Sequence, residues 1–205
     1  MHRHNLNFFH ASGTAIGIFV VVVQLIGCNA QVGQPNKNRA KTPVKFVSEY
    51  EPIEFAFPSG WYANAEEHPF DLQVFSESGH MNTGVFVFKR TDLEEGSSST
   101  DLLHDQIANL AGKRNNFTKL GSPQTTDLPD KTITTIDCAG DKGADRFCYS
   151  FSLIDFHQDD APIAVTLQVA FLDDWKRGKP QMREVLVSAK HIGPSNSITA
   201  DAPPE

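Results

Sequence analysis

Alternating apolar and polar residues predict β-strands in the first half of the chain. Residues Ile53–Phe57 alternate in this way and are followed by Pro58-Ser59-Gly60, a combination typical of a turn. Two further alternating segments, Leu72–Phe75 and Val85–Phe88, flank a glycine-containing stretch, residues 79–84. This arrangement predicts a β-hairpin that follows the first strand.

The hydrophobic period lengthens to that of an α-helix in two places. Apolar residues recur at helical spacing within residues 99–113, and Ser98 stands three residues before Asp101, as in an N-terminal capping box. Apolar residues recur at the same spacing within residues 175–191. Two amphipathic helices are therefore predicted, each with an apolar stripe that packs on a sheet.

Alternation returns after Pro123 and predicts three further strands, Thr132–Cys138, Phe147–Asp155 and Pro162–Leu172. The middle strand places aromatic and aliphatic residues on one face and small polar residues such as Ser150 on the other, which is typical of a strand with one face in water. The chain is therefore predicted to be an α+β protein with one antiparallel sheet of about six strands, packed by two helices.

An apolar run, Ala15–Gly27, follows a polar leader that carries Arg3. A transmembrane helix needs about 20 apolar residues, whereas the core of an export signal needs about 7–15. The shorter run therefore predicts an export signal. Residues 29–44 are polar, contain Gly and Pro, and predict a flexible tether, and residues 193–205 predict a disordered tail.

The end of the apolar run, Leu25-Ile26-Gly27-Cys28, resembles the lipobox of bacterial lipoproteins. The resemblance implies cleavage before Cys28 and covalent diacylglycerol and acyl groups on this residue, with no other cofactor. Two or three acyl chains hold a protein firmly on a membrane. Asn29, in place of Asp, implies sorting to the inner leaflet of the outer membrane if the bacterium is Gram-negative. The alternatives are an uncleaved short anchor and an ordinary signal followed by a chance cysteine.

This interpretation divides the chain into four parts. They are a signal peptide over 1–27, the lipidated cysteine and tether over 28–44, a single α+β domain over 45–192 and the tail over 193–205.

Two tryptophans mark the beginning and the end of the predicted domain. Phe57-Pro58-Ser59-Gly60-Trp61 opens it, and Trp175 opens the closing helix after a long strand. With the order strand, hairpin, helix, three strands and helix, residues 50–192 resemble the PsbP-like fold. That fold is shared by the extrinsic PsbP protein of photosystem II, a Ran-binding nuclear import factor and bacterial DcrB-like lipoproteins. The resemblance implies a non-enzymatic accessory or binding domain, because these proteins share no catalytic residues.

Charge narrows the classes of partner. The formal net charge is −7 at pH 7, and the sequence pI is about 5.6. An acidic surface does not favour phosphate contacts, so we expect no nucleic-acid binding. Anionic lipids repel an acidic protein, so attachment to the membrane must come from acyl chains. We expect the membrane and an envelope protein as the partners.

Two cysteines remain when Cys28 is lipidated. Cys138 and Cys148 stand ten positions apart across a predicted hairpin. In an oxidising compartment this spacing predicts a disulfide between them. The alternative is two separate thiols.

A loop after the fifth predicted strand has the densest set of metal-ligating residue types. In this loop the imidazole of His157 and the carboxylates of Asp159 and Asp160 could ligate a divalent metal if the chain curled around it. The alternative is a solvated loop tip. No other spacing typical of metal ligands occurs among the remaining histidines of the predicted domain.

No nucleophile motif of the form Gly-x-Ser-x-Gly and no glycine-rich phosphate-binding loop occurs in the sequence. The sequence therefore favours a lipid-anchored, periplasm-facing binding protein over an enzyme. The alternative hypothesis is an envelope protein that binds a small ligand or a metal, either in a hydrophobic cleft between the sheet and the closing helix or at His157.

Overall fold

A computed structural model describes residues 42–48, 50–66, 68–94 and 96–193. The predicted signal peptide, Cys28, most of the tether and the tail after Gly193 lie outside the described residues. The described part contains eleven strands, two α-helices and a 3-10 turn. They are β1 (Val44–Val47), β2 (Ile53–Phe57), β3 (Tyr62–Ala63), β4 (Leu72–Phe75), β5 (Met81–Phe88), the turn Arg90–Asp92, α1 (Ser99–Ala111), β6 (Asn115–Lys119), β7 (Gln124–Asp127), β8 (Lys131–Lys142), β9 (Asp145–Phe156), β10 (Ile163–Phe171), α2 (Leu172–Ser188) and β11 (Lys190–His191).

Eight of these strands form one antiparallel sheet. Its order is β3-β4-β5-β10-β9-β8-β6, and β7 also pairs with β8. Strand β9 lies at the centre, where it pairs with β8 from Lys142↔Asp145 to Lys131↔Phe156 and with β10 over almost the same length. The other three strands form a small antiparallel sheet in the order β1-β2-β11.

The two helices cover opposite faces of the main sheet. Helix α1 packs on β9 and β10 and buries Leu103, Ile107 and Leu110. Helix α2 packs on the other face and also contacts β2 of the small sheet, so that this sheet and α2 share one apolar core. None of the helices in the described ranges is long and apolar enough to span a membrane.

The capping pattern at the start of α1 is formed as predicted. The carboxylate of Asp101 accepts hydrogen bonds from the Ser98 backbone N–H at 2.7 Å and from its hydroxyl at 2.8 Å. These hydrogen bonds hold the pKa of Asp101 below its usual range. The cap fixes where α1 begins, because it supplies an acceptor to a backbone donor that the helix leaves unpaired.

Helix α2 begins and ends three residues earlier than predicted. Leu172 continues directly from β10, and the helix ends at Ser188. Lys190 and His191, which the helical pattern included, form β11 and pair with β2. Pairing with an open strand edge therefore overrides the helical pattern at this end.

The prediction of an α+β domain with a large antiparallel sheet and two helices is confirmed. The strands are distributed differently, because the first predicted strand, Ile53–Phe57, belongs to the separate small sheet, and the main sheet has eight strands instead of about six. The short strands β3, β6 and β7 add to its edges. These strands are largely exposed and lack a run of alternating apolar residues, so hydrophobic periodicity does not reveal them.

The prediction that β9 has one face in water is wrong. Cys148, Ser150 and Ser152 on its supposed outer face are as buried as Tyr149 and Phe151 on the inner face. The reason is that α2 packs on the face that the sequence predicts to be solvated.

Replacing Gly84 by Ala should destabilise the protein by about 1–3 kcal/mol, because a Cβ at this position would lie 2.3 Å from the ring of Phe70. That ring is buried and packs on Phe86 with the centroids 4.7 Å apart, so it has little room to move. Urea unfolding measures the loss. Gly112→Ala is the matched control, because its Cβ would lie no closer than 3.9 Å to another atom, at Ala108 O. Equal stabilities of the two variants would contradict the packing around Gly84.

Candidate functional site

The predicted disulfide is not formed, and the sheet geometry explains why. Cys138 in β8 faces Tyr149 across the ladder, and Cys148 in β9 faces Ala139. The two cysteines are thus offset by one residue, which places their side chains on opposite faces of the sheet. Both are free, buried thiols, Cys138 in the core under α1 and Cys148 in the core under α2.

Burial also makes the two thiols unreactive. It raises the pKa of Cys138 to about 11 and raises the pKa of Cys148 as well. Because the thiolate is the reactive form, both groups are almost entirely in the inert thiol form at neutral pH. They pack as small apolar side chains.

An open cleft lies beside the first turn of α1, and we call it the α1 cleft. It has a volume of about 490 Å³. Its floor is made by β8 and β9, and its walls by the start of α1, the 3-10 turn and the loop after β9. The lining residues are Arg90, Ser99, Thr100, Thr132, Thr134, Leu153, Asp155, Phe156, His157, Gln158 and Asp159.

Arg90 holds the wall of the α1 cleft to its floor. Its guanidinium donates to Asp155 Oδ1 at 2.5 Å, to the Phe156 carbonyl at 2.6 Å and to the Ala161 carbonyl at 3.1 Å. Ser99 Oγ donates to the second oxygen of Asp155 at 3.3 Å, which ties α1 to the same carboxylate. The charges of Arg90 and Asp155 therefore pair with each other, and the contacts connect the 3-10 turn, β9 and the start of α1.

His157 lies in the α1 cleft, where its ring contacts other groups through both nitrogens. Nε2 lies 3.1 Å from Thr132 Oγ1, and Nδ1 lies 3.3 Å from the Pro129 carbonyl. Asp159 also lines the cleft, whereas Asp160 does not. The structure therefore does not bring the three metal-ligand candidates together, and within the described ranges no group of three or more His, Cys, Asp or Glu residues could hold a metal ion.

The second candidate region is the polar seam between the main sheet and α2. Across four neighbouring strands the residues in the middle of the face toward α2 are polar instead of apolar, whereas the margins of this face are apolar. The polar seam consists of Thr83, Thr135, Asp137, Ser150, Ser152, Thr166 and Gln168. The sequence predicts a hydrophobic cleft here as one alternative ligand site. The structure has a cavity of only about 30 Å³, which is lined by both polar and apolar side chains and is open toward the exposed Gln124, Arg183 and Val187.

An ion pair between α2 and β8 lies at the edge of the polar seam. Lys179 of α2 donates to Asp137 Oδ2 at 2.6 Å, and Ser150 donates to Asp137 Oδ1 at 2.6 Å. Thr135 and Ser152 share a hydrogen bond of 2.9 Å in the next row of the sheet. Asp137 therefore connects α2 to the sheet through one charge-assisted hydrogen bond, from Lys179, and the hydrogen bond from Ser150 of β9 orients its carboxylate.

Sequence reasoning missed the residues that organise both regions. Arg90 and Asp155 are 65 positions apart, and Asp137 and Lys179 are 42 positions apart, so no local spacing relates the members of either pair. The one available signal is Asp137, a charged residue inside a predicted strand. A charge in such a position requires a partner when it is buried.

No family model matches the chain, and no curated protein matches it.

Solved structures share its fold. The chain is similar to PsbP of Synechocystis, with 14% identity and a TM-score of 0.52 over 79% of this chain and 99% of that one. It is similar to LpqN, which is involved in cell envelope biogenesis of Mycobacterium tuberculosis, with 10% identity and a TM-score of 0.52 over 75% of this chain and 91% of that one. It is also similar to the Ran-binding protein Mog1p of Saccharomyces cerevisiae, with 11% identity and a TM-score of 0.50 over 75% of this chain and 97% of that one. The expected PsbP-like fold is therefore confirmed.

In a Cys28→Ala protein, Ellman's reagent should detect no thiol in the native state and two thiols after denaturation without a reductant. The reason is that Cys138 and Cys148 are buried, protonated and on opposite faces of the sheet. Mass spectrometry before and after reduction is the independent measurement. A gain of about 2 Da on reduction, the mass of the two hydrogens that a bridged pair takes up, would restore the disulfide and contradict the register of β8 and β9.

Proposed function

We propose that this protein is a lipid-anchored lipoprotein of the cell envelope whose α+β domain is a non-enzymatic accessory domain that binds a protein partner. The observation that carries the proposal is the succession of Leu25-Ile26-Gly27-Cys28, a polar tether and a PsbP-like domain. In this proposal Cys28 carries the acyl groups, and the domain faces the periplasm. Asn29 favours the inner leaflet of the outer membrane in a Gram-negative cell.

The structural neighbours support this assignment at the level of the fold. LpqN is involved in cell envelope biogenesis, and Mog1p is a Ran-binding protein. The same fold thus occurs in a protein connected with the envelope and in a protein that binds another protein. We infer a function of the same general kind for this chain, without transferring the partner of either neighbour.

The α1 cleft supports binding better than catalysis. Arg90, Asp155 and His157 are engaged in building the cleft, since Arg90 contacts Asp155 and two carbonyls, and both nitrogens of His157 have neighbours. What it offers to a partner is a polar lining that includes the exposed side chains of Thr100, Gln158 and Asp159. Such a lining suits a polar segment of another protein, held by hydrogen bonds.

A small polar ligand is the second candidate for this site. The observation in its favour is the volume of the α1 cleft, about 490 Å³, which falls within the range of small-molecule sites. Its lining is more polar than such sites usually are, and this difference favours the protein partner.

Replacing Cys28 by Ala should release the protein from the membrane fraction into the soluble fraction, because the acyl chains provide the attachment in this proposal. Fractionation and detergent phase partitioning measure the change. Cys138→Ala is the matched control, and that variant should remain in the membrane fraction. A Cys28→Ala protein that still partitions with the detergent would refute the anchoring.

A photoreactive amino acid at Thr100 or Asp159 should cross-link the full-length protein to an envelope protein, because both exposed residues line the α1 cleft. The same group at the exposed Lys176 on α2 should give at least tenfold less of that product. Cross-linking in intact cells followed by mass spectrometry identifies the product. Equal yields from the three positions, or a product from Lys176 alone, would place the partner elsewhere on the domain.

A further inference from the structure

The polar seam is an unusual interface for a helix and a sheet. Interfaces of this kind are normally filled by aliphatic and aromatic side chains, because burial of apolar surface drives their formation. Here all seven residues of the polar seam are polar, and five of them are almost completely buried. They are Thr83, Ser150, Ser152, Thr166 and Gln168, each at most 1% exposed.

Gln168 is the residue of the polar seam whose hydrogen bonding is incomplete. Its side-chain Nε2 donates to the Met182 carbonyl of α2 at 3.0 Å. The carbonyl can only accept, so this contact fixes the orientation of the amide and leaves Oε1 as an acceptor. None of the described residues donates a hydrogen bond to this oxygen. A buried acceptor without a donor costs free energy, so Gln168 Oε1 requires a hydrogen-bond donor other than the described residues.

A cavity of suitable size adjoins Gln168. It has a volume of about 30 Å³ and is also lined by Asp137, Ser150, Trp175 and Lys179. A buried water needs roughly 10–15 Å³ of such space and two to four polar partners. Gln168 Oε1, Ser150 Oγ and the Asp137 carboxylate supply acceptors on one side of the cavity, so both the space and the polar partners are present.

We propose that one ordered water molecule, or a pair of them, binds in this cavity, donates a hydrogen bond to Gln168 Oε1 and forms part of the contact between α2 and the sheet. The ligand is a water molecule because the site needs a hydrogen-bond donor and the volume admits little else. The water completes the hydrogen bonding of a buried amide, so it is a structural component of the fold. It extends the row Gln168, Ser150 and Asp137 into a continuous polar connection from the centre of the sheet to Lys179.

A crystal structure of the full-length protein at a resolution of about 1.5 Å tests the proposal directly. We expect a water oxygen about 2.7–3.2 Å from Gln168 Oε1, with a B-factor close to that of the surrounding side chains. In solution, water-to-amide NMR cross-peaks should appear at the Gln168 side chain. A cavity without density beside Gln168, together with no such cross-peak, would overturn the proposal.

Two variants distinguish a specific loss of the water from a general disturbance of the polar seam. Gln168→Met has a similar size but no acceptor, and it should lose the ordered water. Thr83→Val removes a buried hydroxyl that also has no partner among the described residues but does not line the cavity, so it should retain the water. If Gln168→Met does not fold, the wild-type density and cross-peaks decide the question alone. Loss of the water in Thr83→Val, or its retention in Gln168→Met, would count against Gln168 as the anchor.

Discussion

The central strand β9 imposes the main constraint on this fold, because both of its faces have to be kept from water. Its two edges are completed by β8 and β10 along almost the whole length, which satisfies its backbone groups. Its side chains then need cover on each side. Helix α1 supplies it on the face of Tyr149 and Phe151, and α2 together with the small sheet supplies it on the face of Cys148 and Ile154. The positions of both helices follow from this requirement.

The two faces of β9 are kept from water by different kinds of contact. The α1 face is an apolar contact, in which three buried side chains of the helix pack on aromatic and aliphatic residues of the sheet. The α2 face has apolar margins and a polar middle, where Asp137 is paired with Lys179 and Gln168 donates to Met182. An apolar contact tolerates small sliding motions, whereas directional hydrogen bonds fix one register. The polar seam therefore favours one position of α2 on the sheet.

The sequence predicts the fold where one physical signal acts alone. Hydrophobic periodicity locates β2, β9 and α1, and the Ser98–Asp101 pattern locates the start of α1, because these signals are local. Periodicity fails at the second face of β9, since the alternating pattern is the same whether the polar face meets water or is covered by a helix. Spacing alone also fails for Cys138 and Cys148. Their separation of ten residues suits a hairpin, but the register of β8 and β9 determines on which faces they lie. The Arg90–Asp155 and Asp137–Lys179 pairs depend entirely on tertiary structure, so no local pattern predicts them.

The topology also relates the proposed anchor to the proposed binding site. The described chain enters the domain through β1, which belongs to the small sheet on the α2 side of the molecule. The floor of the α1 cleft lies on the opposite face of the main sheet, since Thr132, Thr134 and Asp155 share that face with residues packed under α1. In the proposed function Cys28 is the point of attachment, so the chain from the lipid enters the domain on one side of the main sheet, and the α1 cleft opens on the other. The strand that continues from the proposed anchor thus does not cover the α1 cleft, which is the surface where we propose that a partner binds.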